Sequence, residues 1–181
     1  MKELSMHILD IATNSVRAGA SQILITIAED IHNNEFRFDI EDNGKGIPED
    51  ILSTIKNPFT TSRTLRKVGL GIPLLDENCR LCDGFLEITS SVGTGTKLKS
   101  MMVYNHIDRP PMGDIVNTMI GLMTSNENID ICYRHYYNDH NFEISTKALQ
   151  EELEDVPLTS ISVIQWLREF LAESIEEIRA Q

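Results

Sequence analysis

The stretch HILDIATNSVRAGA (residues 7–20) leads directly into QILITIAED (residues 22–30), and together they set the pattern for the first half of the chain. Apolar residues at helical spacing in the first segment predict a helix over about 5–18, which Gly19 ends. Alternating apolar residues in the second segment predict a strand. Residues four apart lie about 6 Å apart along a helix and share a face. The predicted helix therefore has one polar face, which carries Asp10, Asn14 and Arg17 and is a candidate binding surface.

Composition limits the class of protein. The 181 residues are 41% apolar, which suits one globular domain with a core and a small appendage. The formal net charge of −12 argues against nucleic acids and anionic membranes as main partners. No apolar run is long enough to cross a bilayer, and the N-terminus has no signal-peptide pattern. We therefore expect a cytoplasmic protein. Its acidic tail, with nine acids and three bases from residue 143 onward, is interpreted as a solvated surface.

The chain has three cysteines, an odd number that does not suggest a disulfide framework. Cys79 and Cys82 make a C-x-x-C pair inside a predicted helix, but the chain offers no second pair at metal-ligand spacing. We interpret them as free thiols rather than as ligands of a metal or as a redox pair.

The remaining segments predict an α+β fold. In the first part of the chain, alternating and helical patterns indicate a strand at 35–44, a short helix at 49–55, a helix at 74–82 and a hairpin at 85–91 and 96–104. The segment HIDRPPMGD has the composition of a linker. After it, the patterns indicate a helix at 114–123, strands around 129–137 and 141–146, a helix to about 154, and a final helix after Pro157. The fold class predicted is a two-layer α/β sandwich with a mixed sheet covered on one face by helices. Residues 1–108 form the main domain, and residues 109–181 are an α/β extension that packs on it or continues it.

The final helix is expected to bury one stripe. Apolar residues recur at helical spacing in this segment, and we expect them on one side: Ile161, Ile164, Leu167, Leu171, Ile175 and Ile178. Trp166 and Phe170, one turn apart, are predicted to belong to a buried seam rather than to an exposed contact surface. Homodimerisation through this helix is a further possibility.

Four short motifs carry chemistry when they are taken together. On the first helix, an amide oxygen of Asn14 suits Mg²⁺, and the carboxylate of Asp10 could orient or deprotonate water. DNGKGI (residues 42–47) places Asp42, which can accept from an exocyclic amine, beside two glycines. In VGLGIPLL (residues 68–75) two glycines precede a helix whose amides favour an anion. In GTGTKL (residues 93–98) a threonine hydroxyl can donate to a ring nitrogen. Each motif alone also fits a polar helix face, an Asx turn or a hairpin turn.

In their order and spacing these motifs resemble the four conserved boxes of the GHKL ATP-binding superfamily, which includes gyrase, the heat-shock chaperone, histidine kinases and mismatch-repair ATPases. NSVRAGA is similar to the mismatch-repair form of the first box, whereas NPFTTSR and VGLGIPLL are closer to the kinase form. The resemblance covers about residues 4–103. It implies the Bergerat-type ATP-binding fold, with ATP and Mg²⁺ as cofactors.

The resemblance also implies a role for each matching residue. Asn14 would bind the Mg²⁺ that bridges the phosphates, and Asp42 would read the adenine amino group with help from Thr96. Residues 48–68 would form a lid whose Arg63 or Lys67 meets the terminal phosphates. Further contacts to ATP would come from residues in the glycine motifs and the lid: Gly44, Gly46, Ile47, Thr61, Gly69, Leu70 and Gly71.

The function implied is an ATP-dependent protein kinase or slow ATPase that acts on a partner protein in signalling. Hydrolysing members of the family have glutamate where this chain has Asp10, and a carboxylate there favours hydrolysis or activation of a protein hydroxyl, as in anti-sigma-factor serine kinases. Histidine kinases carry a helical segment with a phosphoacceptor histidine before the first box, and we expect this chain to lack that segment, because only a few residues precede the first box. His7 lies within the box itself and is a poor candidate acceptor. Two alternatives remain open here: a non-catalytic, ATP-dependent conformational switch, and a scaffold that has lost ATP binding.

Overall fold

The computed structural model describes residues 2–57 and 70–180, and everything below refers to them. The helices are α1 (Leu4–Arg17), α2 (Glu49–Leu52), α3 (Gly71–Leu81), α4 (Ile115–Ser125), α5 (Thr146–Leu153) and α6 (Ile161–Ala180). The strands are β1 (Gln22–Asp30), β2 (Glu35–Asp42), β3 (Phe85–Ser91), β4 (Gly95–Val103), β5 (Asp130–Tyr137) and β6 (His140–Ser145). Among the described helices, none combines the length and the apolar character that crossing a bilayer requires.

All six strands form one sheet in the order β3-β4-β2-β1-β5-β6. Most neighbours are antiparallel, but β1 and β5 run parallel, so the sheet is mixed. Because β5 pairs with β1, the strands of the C-terminal segment extend the sheet of the N-terminal segment. The predicted α+β sandwich with a mixed sheet is confirmed.

One face of the sheet forms the core, together with the helices that pack on it. Every second residue of β1 and β2 points into this core, so the buried side chains alternate along each strand. The largest of them are Ile23, Ile25, Ile27, Phe36, Phe38 and Ile40. Helix α1 packs between α3 and α4, and α4 packs against α6. The opposite face of the sheet carries half-buried and exposed side chains, including Asp39 and Lys99.

The predicted linker forms hydrogen bonds with the first turn of α1. No side chain caps this helix, but its first two amides, from Leu4 and Ser5, donate to the carbonyls of Pro111 and Met112, both at 2.9 Å. These bonds satisfy donors that a helix N-terminus leaves free. The linker ends at Asp114, whose carboxylate accepts from the backbone of Asn117 and caps α4.

A buried polar cluster lies at the C-terminal end of β1, beside the start of β2. Glu29 is on the core face of β1 and is 4% exposed. His135 Nε2 lies 2.9 Å from its carboxylate, and Arg179 of α6 donates to the same carboxylate through Nε at 3.1 Å. The Tyr104 hydroxyl donates to it as well, at 3.2 Å. Burial alone would raise the pKa of Glu29, but the hydrogen bonds and charges of His135 and Arg179 lower it overall.

Helix α6 buries much of the predicted stripe but not all of it. Leu167, Leu171, Ile175 and Ile178 are buried, and Val163 joins them. Ile161 is 77% exposed, so its predicted place in the stripe is wrong. It is the first residue of α6, and the neighbouring Ser162 is exposed as well. The buried seam predicted for Trp166 is also wrong, since Trp166 is 46% exposed.

The two cysteines of the C-x-x-C pair are free and buried at the end of α3. Burial raises the pKa of the Cys79 thiol to about 12, which keeps it protonated. Within the described residues, no group of three or more His, Cys, Asp or Glu side chains is arranged to hold a metal ion.

Candidate functional site

A cavity of about 860 Å³ opens between α1 and the ends of β2, β3 and β4. Its walls are mostly apolar and include Ile11, Ile40, Ile88 and Leu98. Its polar lining comes from separate elements and consists of Asn14, Ser15 and Arg17 of α1, Asp42 of β2, Lys45 of the following loop and Thr96 of β4. A mostly apolar cavity with a few convergent polar groups is typical of a site for a small organic ligand.

Asp42 is held in place by two hydrogen bonds. Ser15 Oγ donates to Oδ2 at 2.6 Å, and the amide of Gly44 donates to Oδ1 at 2.8 Å. Each carboxylate oxygen can accept more than one hydrogen bond, so the acceptor capacity of Asp42 is only partly used. Thr96 lies directly opposite Asp42 in the antiparallel pairing of β2 and β4. The pair therefore offers an acceptor and a hydroxyl side by side at the cavity wall.

The loop after β2, residues 43–48, is fastened to the β3–β4 hairpin. The amide of Ile47 donates to Ser90 Oγ, and the amide of Gly93 donates to the Lys45 carbonyl, both at 2.8 Å. Gly46 has a φ of +72°, and a Cβ there would collide with the carbonyl of Ser91. Glycine is therefore required at this position because the loop and the hairpin backbone come so close together. Asn43 fixes the start of the loop by accepting from the backbone of Ser21 and Gln22 at 2.9 Å.

Helix α1 contributes the other polar groups. Asn14 and Arg17 line the cavity, whereas Asp10 lies one turn earlier and does not line it. The Asp10 Oδ2 atom is buried and has no hydrogen-bond partner among the described residues. A buried oxygen of this kind is an unfilled acceptor, which favours contact with water, a cation or a donor.

His7, one turn before Asp10, is fully buried and joins α1 to α3. Its Nε2 atom lies 3.0 Å from the side-chain amide nitrogen of Asn78. Because that amide nitrogen is a donor, Nε2 of His7 is the acceptor in this hydrogen bond. Burial, with a smaller contribution from the positive N-terminus, lowers the pKa of His7 from 6.5 to about 4. The side chain is therefore neutral near neutral pH and acts as a packing and hydrogen-bonding group between the two helices.

The third motif lies partly outside the described residues. Gly71 begins α3, exposed Leu70 precedes it, and Ile72 lines the cavity, so the start of α3 borders the site. Thr61, Arg63, Lys67 and Gly69 lie outside the described residues, as does most of the predicted lid. The described part before the gap is tied to α3, because Lys56 Nζ lies 3.2 Å from a carboxylate oxygen of Asp76.

Sequence reasoning missed several residues of the site. Ser15 and Lys45 lie inside the four motifs, but the motifs predict no role for them, and Ser90 lies outside the motifs. The helical pattern predicts that Arg17 lies on the polar face of α1 but does not indicate its function. Ser90 is a hydroxyl at the end of a strand, and no local pattern indicates that it meets the loop after β2. The contact depends on the pairing of β4 with β2, which brings the predicted β3–β4 hairpin beside the loop after β2 and which the local sequence does not specify.

The geometry agrees with a comparison of the chain with known protein families. The family model of histidine kinase-, DNA gyrase B- and HSP90-like ATPases matches residues 2–106, which is more than half of the chain. The chain belongs to this ATPase family. It is an ATP-binding, kinase-like ATPase domain, and the predicted family resemblance is confirmed.

Two of the curated relatives described below are kinases by name. Sensor kinase CckA of Brucella abortus is 40% identical over 63 residues, which cover 34% of this chain and 7% of the relative. The non-motile and phage-resistance protein of Caulobacter vibrioides is 26% identical over 118 residues, or 60% and 14% of the two chains. The peroxide stress-activated histidine kinase mak2 of Schizosaccharomyces pombe is 35% identical over 81 residues, or 40% and 4%. The ATPase domain thus matches only a small part of each relative.

A solved structure shares the fold. The N-terminal domain of a DNA repair protein superposes with a TM-score of 0.58 at 15% sequence identity, over 80% of this chain and 52% of that chain. At this identity the likeness concerns the fold alone.

Proposed function

We propose that the ATPase domain binds Mg·ATP in the cavity between α1 and the sheet and transfers the terminal phosphoryl group to a partner protein or slowly to water. The observation that carries the proposal is the convergence of Asn14, Arg17 and Asp42, from a helix and a strand, on one largely apolar cavity. The Asp42 carboxylate accepts from the adenine amino group, and the apolar walls cover the faces of the base.

The residues present fit both ATP and Mg²⁺. Two cations, Arg17 and Lys45, line the cavity of a chain whose net charge is −12, and they would attract the anionic phosphates of ATP. Asn14 offers an amide oxygen, a ligand type that Mg²⁺ accepts. When bound, Mg·ATP supplies an activated phosphoryl group and a divalent cation that neutralises its charge. Thr61, Arg63, Lys67, Gly69, Leu70 and Gly71 complete the phosphate contacts in this proposal.

Asp10 is the proposed catalytic residue: it does not line the cavity itself, but it lies one turn before Asn14, which does, on the same face of α1. Its buried, unpaired Oδ2 atom has the acceptor capacity to orient an attacking hydroxyl or water and to take its proton. A shorter side chain than glutamate reaches less far, which suits slow hydrolysis. The names of the relatives support action on a protein in a signalling pathway. Since ATP is supplied inside the cell, we propose that the protein acts in the cytoplasm.

Single-turnover experiments with γ-labelled Mg·ATP test this proposal. Asp10→Asn keeps the size of the side chain but removes the base, so we expect turnover to fall by about 100-fold or more while calorimetric ATP affinity stays unchanged. Asp139→Asn, in the exposed turn between β5 and β6, makes the same chemical change away from the cavity and should leave turnover as it is. Wild-type turnover by Asp10→Asn would overturn the catalytic role. ATP binding without turnover in the wild type would favour the conformational switch instead.

A further inference from the structure

Helix α6 presents an exposed flank beside the edge strand β6 that the ATP site does not use. The helical repeat of 3.6 residues puts five side chains on this flank, and we call it the acidic–aromatic face: Trp166, Glu169, Phe170, Glu173 and Glu177. The neighbouring stripe of the same helix, which includes Leu167 and Leu171, is buried in the core. The acidic–aromatic face is therefore fixed in orientation by the packing behind it.

The aromatic part of the face is ordered by ring contacts. Trp166 stacks on Phe170, with ring centroids 5.1 Å apart and an angle of 17° between the planes. Phe170 meets Phe142 of β6 edge to face at 6.4 Å. Trp166 nevertheless remains 46% exposed. A tryptophan that is held rigid and half exposed gives a partner a large apolar surface with little loss of side-chain freedom.

The acidic part of the face is unfavourable for the isolated helix. Glu169, Glu173 and Glu177 are all exposed and follow one another at intervals of four residues, where like charges repel. Glu177 also lies in the last turn of α6, where the helix dipole disfavours negative charge. Within the described residues, none of the three forms an ion pair. A cationic partner would remove this repulsion.

The charge of the face selects one kind of occupant. A second copy of the chain, docked through the same face, would bring two rows of glutamates together, and a nucleic acid or anionic membrane would be repelled. We propose that the acidic–aromatic face docks a basic segment of a partner protein, whose lysine or arginine side chains pair with Glu169, Glu173 and Glu177. One of these cations, or an apolar neighbour, covers the exposed ring of Trp166. This interaction is separate from ATP binding and does not depend on it.

Fluorescence of the full chain tests the proposal directly, because Trp166 is its single tryptophan. The probe is a sixteen-residue synthetic peptide with lysine at every fourth position and a central leucine, and the control peptide has glutamate in place of each lysine. We expect a saturable change in Trp166 emission with the basic peptide that weakens as salt is added, and no change with the acidic peptide. A signal with both peptides, or a signal that does not saturate, would overturn the proposal.

Matched charge variants separate specific docking from general attraction to an acidic protein. Glu169→Gln with Glu173→Gln should weaken binding of the basic peptide about fivefold. Glu77→Gln with Glu87→Gln makes the same change in net charge on α3 and on β3, which is the edge strand opposite β6. This double variant should alter the affinity for the basic peptide by less than about twofold. Equal weakening by the two double variants would contradict the assignment. Calorimetric affinity for Mg·ATP should be unchanged in both, so this test is independent of the proposed ATPase function.

Discussion

Asp42 and Asp39 lie three residues apart on β2 and have opposite surroundings. Asp42 falls on the core face at the cavity, where Ser15 and Gly44 donate to its carboxylate. Asp39 falls on the open face, where burial raises its pKa and nearby Lys99 and Lys97 partly offset the effect. The period of two in a strand thus places one carboxylate at the cavity, where we propose that it recognises the ligand, and the other on the outer surface.

Removing the hydroxyl of Ser15 tests how Asp42 is positioned. Ser15→Ala removes one of two hydrogen bonds to the carboxylate and should weaken ATP binding about three- to tenfold in calorimetry. Ser100→Ala is the matched control, since Ser100 is also buried and donates to the Phe38 carbonyl at 2.7 Å, away from the cavity. Both variants should lose similar stability, but only Ser15→Ala should lose affinity. If both or neither changed affinity, the hydrogen bond to Asp42 would have no role in binding.

At the scale of residues, the sequence predicts the positions with distinctive chemistry. The structure brings predicted Asn14, Asp42, Gly46, Ile47 and Thr96 to one cavity. Serines such as Ser15 and Ser90 are common residues, and their importance here comes from partners 27 and 43 positions away. Such contacts follow from tertiary packing, so local patterns do not reveal them.

The decisive element for the site is the loop between β2 and α2. It crosses the tip of the β3–β4 hairpin, and its path requires Gly46 to adopt a positive φ in contact with the Ser91 backbone. Lys45 and Ile47 of this loop line the cavity, so the position of the loop determines part of the cavity wall.

Gly46 and Gly93 have similar positive φ angles, but only Gly46 lies against the backbone of Ser91. Substitutions at the two positions therefore separate the effect of the Ser91 contact on stability from the effect of the φ angle. Gly46→Ala meets both the strained φ and the Ser91 carbonyl, and we expect a loss of more than about 2 kcal/mol in unfolding free energy together with weaker ATP binding. Gly93→Ala has a φ of +82° but open space around the new methyl group, so we expect a loss of about 1 kcal/mol. Urea denaturation measures both values. A larger loss for Gly93→Ala would contradict the account of the loop.

At the scale of elements, hydrophobic periodicity predicts most of the secondary structure, and the errors have local causes. Helix α3 begins at Gly71, three residues before the predicted start, because proline is tolerated in a first helical turn and Pro73 does not delay it. Helix α2 ends at Leu52, before the predicted limit, and β2 ends at Asp42 rather than 44. Trp166 is exposed although its spacing suits a buried seam, since periodicity does not tell which neighbour covers a given flank.

At the scale of the molecule, the C-terminal segment is joined to the rest by β5 and by the cluster around Glu29. The parallel pairing of β5 with β1 involves residues more than 100 positions apart, which explains why the sequence predicts the strand but not its neighbour. Arg179, near the end of α6, donates to Glu29 in the N-terminal segment. We propose that the two segments therefore unfold together, in a single transition.

Removal of the Arg179 guanidinium tests this connection. Arg179→Met keeps an apolar stem but leaves buried Glu29 with fewer donors, and we expect a loss of about 2 kcal/mol in unfolding free energy near neutral pH. Arg168→Met is the matched control, because Arg168 lies on the same helix and donates to exposed Asn117 at 3.2 Å. It should lose less than about 0.5 kcal/mol.

The stability difference between the wild type and Arg179→Met is also expected to depend on pH. The pKa of Glu29 is lowered in the folded state, so its contribution to stability is present above the ordinary value of 4.5 and is lost as the pH falls below that value. The stability difference between the wild type and Arg179→Met should therefore shrink in acid. Chemical denaturation at pH 7 and below pH 4.5 measures it, and a difference that stays constant or grows in acid would contradict the proposed pairing.

The central claim, that Asp42 recognises the base of ATP in the cavity, is tested most directly by calorimetric titration of Mg·ATP into two isosteric variants. Asp42→Asn replaces the acceptor, and we predict an affinity about 10- to 100-fold weaker than in the wild type. Asp39→Asn makes the same change on the opposite face of the same strand, and its affinity should stay within about twofold of the wild type. Wild-type affinity in Asp42→Asn, or equal losses in both variants, would contradict the account.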